Sequence, residues 1–181
     1  MTDEMPKNSE SQMISQLIKW VKKNIPDLKI LFTWADGMLG KCGYVYQASN
    51  FIYAGFSPTD FYLLDGYKIH PRQTKKLFSV SDNDKRLSVR PTEAQMKKYG
   101  IRHYRGRQYR YLYFLCDKDE KNRLINECTV SLHDKRPKDC DLIWTVKDFC
   151  IGKWICSEKP PYKKDGDVET LKNHLIEKRC V

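Results

Sequence analysis

The stretch Leu28–Gly55, LKILFTWADGMLGKCGYVYQASNFIYAG, decides how we interpret the rest of the chain. It opens with an apolar run, Ile30–Phe32, which predicts a short buried strand. Asp36 follows at the C-terminal edge of that strand, and glycines at positions 37, 40 and 43 punctuate the turn after it. The pattern therefore predicts an acidic side chain where a strand ends and a tight turn begins.

A short helix carrying Tyr44 and Tyr46 and a second strand, Phe51–Ala54, complete this stretch. Asp36 and Tyr46 could face one cleft, where the tyrosine would donate a proton to a leaving group and the aspartate would orient or deprotonate an amine. Alternatively, Asp36 caps the next helix while both tyrosines pack against the sheet. Periodicity does not separate these two interpretations.

The length and net charge of the chain limit its number of domains and its classes of partner. The chain has 181 residues, enough for one domain or one domain with a small appendage, and its formal net charge is +10. This charge favours polyanionic partners, nucleic acid first and phosphate-bearing cofactors second. The sequence has no apolar run of about 18 residues and a polar start unlike a secretory signal. We therefore expect no membrane association and a cytoplasmic location.

The seven cysteines are irregularly spaced and form no CxxC pair, which indicates reduced thiols rather than a disulfide framework. His133, Cys140, Cys150 and Cys156 match no compact zinc pattern, so we assign no metal ligands. The sequence contains neither a P-loop nor a dinucleotide fingerprint.

An amphipathic helix is predicted from about Ser9 to Lys23, because Ile14, Leu17, Ile18 and Val21 recur on one face. Free N–H groups at a helix start bind anions, so Lys7–Gln12 is a candidate phosphate site. The alternative is an ordinary surface cap.

After the central stretch we predict a loop over Phe56–Asp65 and a hairpin turn at Asp65-Gly66. Weak strands are predicted at Leu77–Val80 and Leu87–Val89. A short helix follows, with Thr92 as its cap and Gly100 as its terminator.

A basic and aromatic segment runs from Ile101 to Arg110 and leads into a predicted strand, Tyr111–Leu115. Arginine interleaved with tyrosine is typical of surfaces that contact phosphates and stack on bases. The alternative is a solvated edge strand with aromatic packing on one face. The candidate nucleic-acid-binding residues are His70, Arg72, Arg102, Tyr104, Arg105, Arg107 and Arg110.

Beyond the predicted helix Asp117–Glu127, the composition changes from Lys135 onward. Two strands, Leu142–Val146 and Phe149–Cys156, and a terminal helix, Asp167–Lys178, are expected there. We divide the chain into a domain spanning residues 1–133 and a C-terminal extension of unknown role spanning residues 134–181.

The segment from Pro6 to Tyr113 resembles the second half of the phage Mom-like proteins, an offshoot of the GNAT acyltransferases. The resemblance rests on Trp34-Ala35-Asp36, the glycine turn and YVYQASNFIYAG at residues 44–55, with DGYKIHPR and YRYLYFL further along. It implies an α+β fold: a partial GNAT-like domain with a small C-terminal strand-and-helix extension.

The resemblance also implies roles for individual residues. Tyr46 would protonate the departing coenzyme and Asp36 would act with it. Acetyl-CoA or a related acyl-CoA would be the cofactor, iron has been proposed for this chemistry, and the product would be a modified adenine that protects phage DNA from restriction. The pyrophosphate of the cofactor would lie on Lys7, Asn8, Ser9 and Ser11.

A GNAT fold places about four strands before the helix at Ser9, and this sequence has almost nothing there. We therefore expect a second polypeptide to supply those strands, or a reduced domain that binds nucleic acid or a protein without catalysis. A third alternative is a GNAT enzyme that acts on a protein or a small amine.

Overall fold

The computed structural model describes residues 6–78 and 89–178. It is an α+β structure, as predicted from the sequence, with helices packed on a mixed sheet. The strand order is β6-β5-β4-β2-β3-β7, and β1 also pairs with β4. The bounds of the strands are β1 Ile30–Asp36, β2 Ile52–Leu64, β3 Tyr67–Ile69, β4 Arg102–Phe114, β5 Trp144–Lys147, β6 Trp154–Ser157 and β7 Lys164–Asp165.

The helices carry the same chain-order numbering. They are α1 Ser9–Asn24, α2 Tyr44–Ala48, α3 Pro71–Phe78, α4 Glu93–Tyr99, α5 Lys118–Glu127 and α6 Val168–Glu177. Two single turns of 3₁₀-helix lie at Gly37–Leu39 and Asp139–Asp141. Within the described residues, no helix combines the length and the apolar character that crossing a membrane requires.

The chain forms two compact units, each made from two segments. Unit 1 comprises Met1–Ser57 and Arg107–Leu142, and unit 2 comprises Pro58–Gly106 and Ile143–Val181. The predicted division near residue 133 stays a prediction.

Unit 1 is built around the antiparallel pairing of β1 with the C-terminal part of β4, from Ile30 opposite Phe114 to Asp36 opposite Gln108. Successive strand residues point to opposite faces of a sheet. Tyr109 and Tyr111 accordingly join the core that includes Ile18 of α1, whereas Leu112 and Phe114 pack in a second cluster with α5. The two clusters hold the pair of strands β1 and β4 in place, and with it Asp36 at the end of β1.

Unit 2 has its own core, to which α4, α6, β2 and β3 contribute. Asp65 and Gly66 both have positive φ angles and join β2 to β3 in the predicted two-residue hairpin. The predicted short helix is also confirmed: Thr92 and Gln95 form a capping box at the start of α4, and Gly100 ends the helix in the left-handed conformation.

The predicted loop over Phe56–Asp65 is wrong, because β2 continues without a break to Leu64. The Ser57-Pro58 pair indicated a loop to us, but the residue before a proline is itself driven toward extended conformations. Gly55 adopts a φ of +75°, which lets the strand bend and continue. The basic segment likewise belongs to β4 throughout.

The predicted strand at Leu77–Val80 is also wrong for its first half, since Leu77 and Phe78 end α3. Thr74 and Phe78 are both buried, and their spacing of four residues is that of a helix face. Ser79 and Val80, like Leu87 and Ser88 of the other weak strand, lie outside the described residues.

Candidate functional site

Asp36 and Tyr46 line the same open groove in unit 1, with a volume of about 460 Å³. The groove is formed by the end of β1, the glycine turn and α2, and Glu10 of α1 contributes to its wall. The backbone that joins the two residues is short, since only a 3₁₀ turn and a glycine-rich loop separate β1 from α2. The local order of strand, turn and helix therefore brings both side chains to one groove.

Asp36 is half-buried and is the last residue of β1. Its carboxylate accepts a hydrogen bond of 2.9 Å from the backbone N–H of Met38 and so caps the 3₁₀ turn. This is the capping role that the sequence left open as an alternative. A carboxylate accepts up to about four hydrogen bonds, so the cap by itself does not exclude contact with a substrate amine.

The ring of Tyr46 packs against two aromatic neighbours, Phe51 at 5.6 Å and Tyr111 at 5.5 Å between centroids. Its packing against the sheet thus agrees with the structural alternative. Its hydroxyl makes no hydrogen bond to any of the residues that the structure describes. Packing therefore holds the ring of Tyr46 in place at the wall of the groove.

A hydrogen-bond network supports the floor of the groove. The Tyr111 hydroxyl donates to the carbonyl oxygen of Cys42, and the Gln47 side-chain amide donates to the Tyr111 hydroxyl at 2.9 Å. Burial raises the pKa of Tyr111 to about 12, and the hydrogen bond from Gln47 only partly offsets this rise. Tyr111 is therefore a neutral structural support at physiological pH.

Cys42 lines the groove but is only 1% exposed, and its Sγ lies 3.5 Å from Oδ1 of Asp139. Burial raises the pKa of the Cys42 thiol, and the neighbouring Asp139 carboxylate adds to the rise. A protonated, enclosed thiol is a poor nucleophile. Cys42 is thus a packing residue.

A distant segment, residues 136–141, contacts residues that line or follow this groove, and sequence reasoning missed it. Arg136 donates to the carbonyl oxygen of Gln47 at 3.0 Å, and the backbone N–H of Asp139 donates to the Tyr44 hydroxyl at 3.3 Å. These partners are 89 and 95 positions apart in sequence. No local motif marks a contact of that range, so only the fold reveals it.

The predicted anion site at the start of α1 has a mixed set of donors. The hydroxyls of Ser9 and Ser11 donate to the backbone carbonyls of Pro6 and Asn8, so their protons are engaged within the turn. Asn8 has a φ of 70° and its side chain makes no capping hydrogen bond. The backbone N–H of Ser9 also donates to the Pro6 carbonyl oxygen, so the donors left for an anion are the Lys7 ammonium and the next backbone N–H groups of the first turn.

Three of the candidate nucleic-acid residues lie in the part of β4 that belongs to unit 2. Arg102 and Arg105 are exposed, and the Arg105 guanidinium lies 4.1 Å from the centre of the Trp154 ring. Tyr104 is 1% exposed and packs against Phe61, so its ring offers no face to a base in this structure.

The remaining candidates are distributed over both units. His70 is exposed and follows β3 directly, while the side chain of Arg72 lies outside the described part of the structure. Arg107 and Arg110 are half-buried members of unit 1. Of the six residues whose side chains are described, four therefore belong to unit 2 and two to unit 1.

For metal binding, residues 6–78 and 89–178 contain no group of three or more histidine, cysteine, aspartate or glutamate side chains arranged to hold an ion. The donor set of the described chain thus does not fit an iron site, and we derive no step through iron.

These features define an α+β protein with an open groove at a strand–turn–helix junction, lined by an aspartate and a tyrosine. The model of the Mom protein family matches residues 1–131, and the chain belongs to that family. The chain is also similar to methylcarbamoylase mom of Escherichia phage Mu, with 34% identity over 122 residues. The similarity covers 67% of this chain and 47% of that protein, so this chain spans about half the length of the curated relative it matches.

Proposed function

We propose that this chain acts in the modification of adenine in phage DNA, with Asp36 and Tyr46 as its working pair, and so protects that DNA from restriction. The observation that carries the proposal is that both residues line one open groove within the segment that matches the Mom family. The Mom-type name of the phage Mu relative supports the same class of activity.

The chemistry follows from the two functional groups. When an exocyclic amine of a base attacks an activated carbonyl carbon, the amine must lose a proton and the leaving group must gain one. The Asp36 carboxylate accepts the first proton or orients the amine that carries it. The Tyr46 hydroxyl holds the second proton until it is needed. Packing of the Tyr46 ring limits the motion of that hydroxyl.

An acyl-CoA of the GNAT type would supply the activated acyl group as a thioester. Lys7 and the first backbone N–H groups of α1 would bind its phosphates. Beside them, a second groove of about 380 Å³ is lined mainly by apolar residues of α1 and β1, and it shares Glu10, Val45 and Tyr46 with the first groove. An apolar groove that extends to Tyr46 suits a long aliphatic arm.

A second polypeptide that supplies further strands is part of the proposal. Within the described residues β1 pairs only with β4, which leaves its other edge without a strand neighbour. Phe32 and Trp34 of β1 are 51% and 39% exposed, and Met13 and Leu17 of α1 are exposed beside them. An open edge with apolar side chains is typical of a surface that another strand covers.

The test replaces each working residue in the phage genome and measures modified adenine by mass spectrometry of hydrolysed phage DNA. We expect Asp36→Asn and Tyr46→Phe to reduce the modified base at least a hundredfold, the scale expected for the loss of a general acid or base. Asp27→Asn, in an exposed loop, and Tyr67→Phe, in unit 2, are matched controls that should modify normally. Undiminished modification in the first two variants would refute the catalytic proposal.

A second candidate function is nucleic-acid binding or a protein interaction without catalysis. The capping bond of Asp36 and the ring packing of Tyr46 favour it, since both explain these residues without chemistry. Under this alternative the Asp36 and Tyr46 variants lose stability in proportion to any loss of function. Unfolding measurements on the same variants therefore separate the two candidates.

A further inference from the structure

A compact cationic cluster lies in unit 1 around Gly55 and Phe56. The Arg107 guanidinium lies 4.1 Å from the centre of the Phe56 ring, and Arg110 Nη2 donates to the Phe56 carbonyl oxygen at 3.3 Å. The two arginines are three residues apart on β4, and each contacts this one residue of β2, Arg107 at its ring and Arg110 at its backbone carbonyl. Stacking and hydrogen bonding restrict both long side chains before any ligand arrives.

His133 brings a third nitrogen donor to the cluster. Its backbone N–H donates to the Tyr53 carbonyl oxygen at 2.9 Å, and its ring lies 5.4 Å from the Tyr53 ring. A methyl group placed on Gly55 would lie 3.3 Å from Arg110 Nη2 and 3.4 Å from His133 Nε2. The side chains of Arg110 and His133 therefore both lie next to Gly55, which has no side chain of its own and a φ that favours glycine.

In the described parts of the chain, neither Arg107 nor Arg110 forms an ion pair with a carboxylate. Arg110 Nε is buried and has no hydrogen-bond partner among the described residues. A buried donor without a partner costs free energy, which a bound acceptor would recover.

The electrostatic environment of Tyr53 agrees with this description. Burial raises the pKa of the Tyr53 hydroxyl, and the charges of Arg107 and Arg110 both oppose that rise. Asp141 acts in the opposite direction as a weaker influence. The field at this point of unit 1 is therefore one that attracts an anion.

We propose that Arg107, Arg110 and His133 form a binding site for one phosphate group. Guanidinium groups match the geometry of phosphate oxygens through paired hydrogen bonds, and an imidazole adds a further donor. The phosphate comes either from the backbone of DNA or from a small phosphorylated molecule. The DNA source deepens the proposed function and rests on it, because it assigns the contact that positions DNA on unit 1.

The experiment measures binding without chemistry. A fluorescently labelled DNA duplex is titrated with the purified chain over a series of NaCl concentrations, for the wild type, Arg107→Gln and Arg110→Gln. Each substitution should weaken binding about tenfold and reduce the slope of log affinity against log salt by about 1, the value for one lost phosphate contact. Arg123→Gln is the matched control, because Arg123 is an exposed arginine of unit 1 that already pairs with Glu120.

A second titration, with inorganic pyrophosphate and measured by calorimetry, decides the source of the phosphate. Binding of pyrophosphate that Arg110→Gln abolishes, with DNA affinity unchanged, supports the site with a small phosphorylated ligand. The site is overturned if Arg107→Gln and Arg110→Gln bind DNA with the same affinity and salt slope as the wild type and Arg123→Gln, and if the wild type does not bind pyrophosphate. Thermal melting verifies that each variant folds. If Arg110→Gln does not fold, Arg107→Gln takes its place in both titrations.

This outcome is independent of the catalytic proposal. If Asp36→Asn abolishes modification while the arginine variants bind DNA normally and the wild type binds no pyrophosphate, the phosphate site is refuted and the proposed function stands. If the arginine variants lose binding while Asp36→Asn modifies DNA normally, the phosphate site stands and the catalytic roles are refuted.

Discussion

The imidazole Nε2 of His103 lies 2.7 Å from a carboxylate oxygen of Asp60, and both residues belong to unit 2. His103 is 9% exposed, and its ring also contacts Tyr62 and Trp154. Burial lowers the pKa of His103 below its ordinary value, and the Asp60 carboxylate only partly opposes this effect. The folded protein therefore favours the neutral imidazole.

This pair predicts a loss of stability in acid. Because the pKa of His103 is lower in the folded chain than in the unfolded chain, the unfolded chain takes up the proton first as the pH falls. The contribution of neutral His103 to stability is complete above about pH 6.5 and is lost as the pH falls toward the folded pKa. Urea unfolding of the wild type and His103→Gln at several pH values should show the difference between them shrinking with acid.

The Asp60→Asn variant provides the complementary measurement. It removes the charge that raises the pKa of His103, so the acid-dependent loss of stability should become larger. A wild type that gains stability over His103→Gln as the pH falls would contradict the assignment.

Removing the Tyr111 hydroxyl should destabilise unit 1. Tyr111→Phe leaves the Cys42 carbonyl with only the longer hydrogen bond of 3.5 Å from Gln47 and deprives the Gln47 amide of one acceptor, which costs about 1–2 kcal/mol of unfolding free energy. Chemical denaturation measures the change. Tyr113→Phe is the control on the same strand, and its unfolding free energy should stay within about 0.5 kcal/mol of the wild type, as for most surface changes.

Gly37 is required by the close approach of two chain segments. A methyl group at this position would overlap the carbonyl oxygen of Arg107 and lie 2.8 Å from the Tyr109 ring. Because backbone atoms have little room to move, Gly37→Ala should cost about 1–3 kcal/mol or more in thermal unfolding. Gly152→Asn is the contrast: its φ is +68° with nothing within 4 Å, and asparagine tolerates that conformation. Equal melting temperatures for the two variants would contradict this explanation.

The terminal helix α6 is part of the core of unit 2 although it lies beyond the family match. Leu171 is fully buried there, so Leu171→Ala should lower the unfolding free energy by about 2–4 kcal/mol through the cavity it leaves. Lys172→Ala changes the exposed neighbour and should have little effect. If Leu171→Ala is as stable as Lys172→Ala, then α6 does not stabilise unit 2.

The features that sequence predicted correctly depend on neighbours in the chain. The apolar periodicity of Ile14, Leu17, Ile18 and Val21 predicted helix α1, and the predicted C-terminal end differs from the observed one by a single residue. Asp65-Gly66 gave its hairpin because few other residue pairs accept two positive φ angles. The position of Asp36 at the end of β1 followed from the apolar run before it.

The errors share a cause as well. Ser57-Pro58 carries a local signal for a turn, but pairing with neighbouring strands kept β2 extended through it. The extended conformation also suits a residue before proline, so the tertiary context had only to choose between two allowed states. Local propensity is weak compared with the pairing of a long strand.

The sequence by itself determined the α+β class, the helices at both ends and the placement of Asp36 and Tyr46 on one short strand–turn–helix unit. Only the tertiary structure decided what surrounds them. Asp139 reaches Cys42 across 97 positions, and the side chains of Arg110 and His133 both lie next to Gly55, from which they are distant in sequence. Such contacts depend on how the whole chain packs. Hydrophobic burial drives this packing and is non-directional, so the local sequence does not identify which distant residues come into contact.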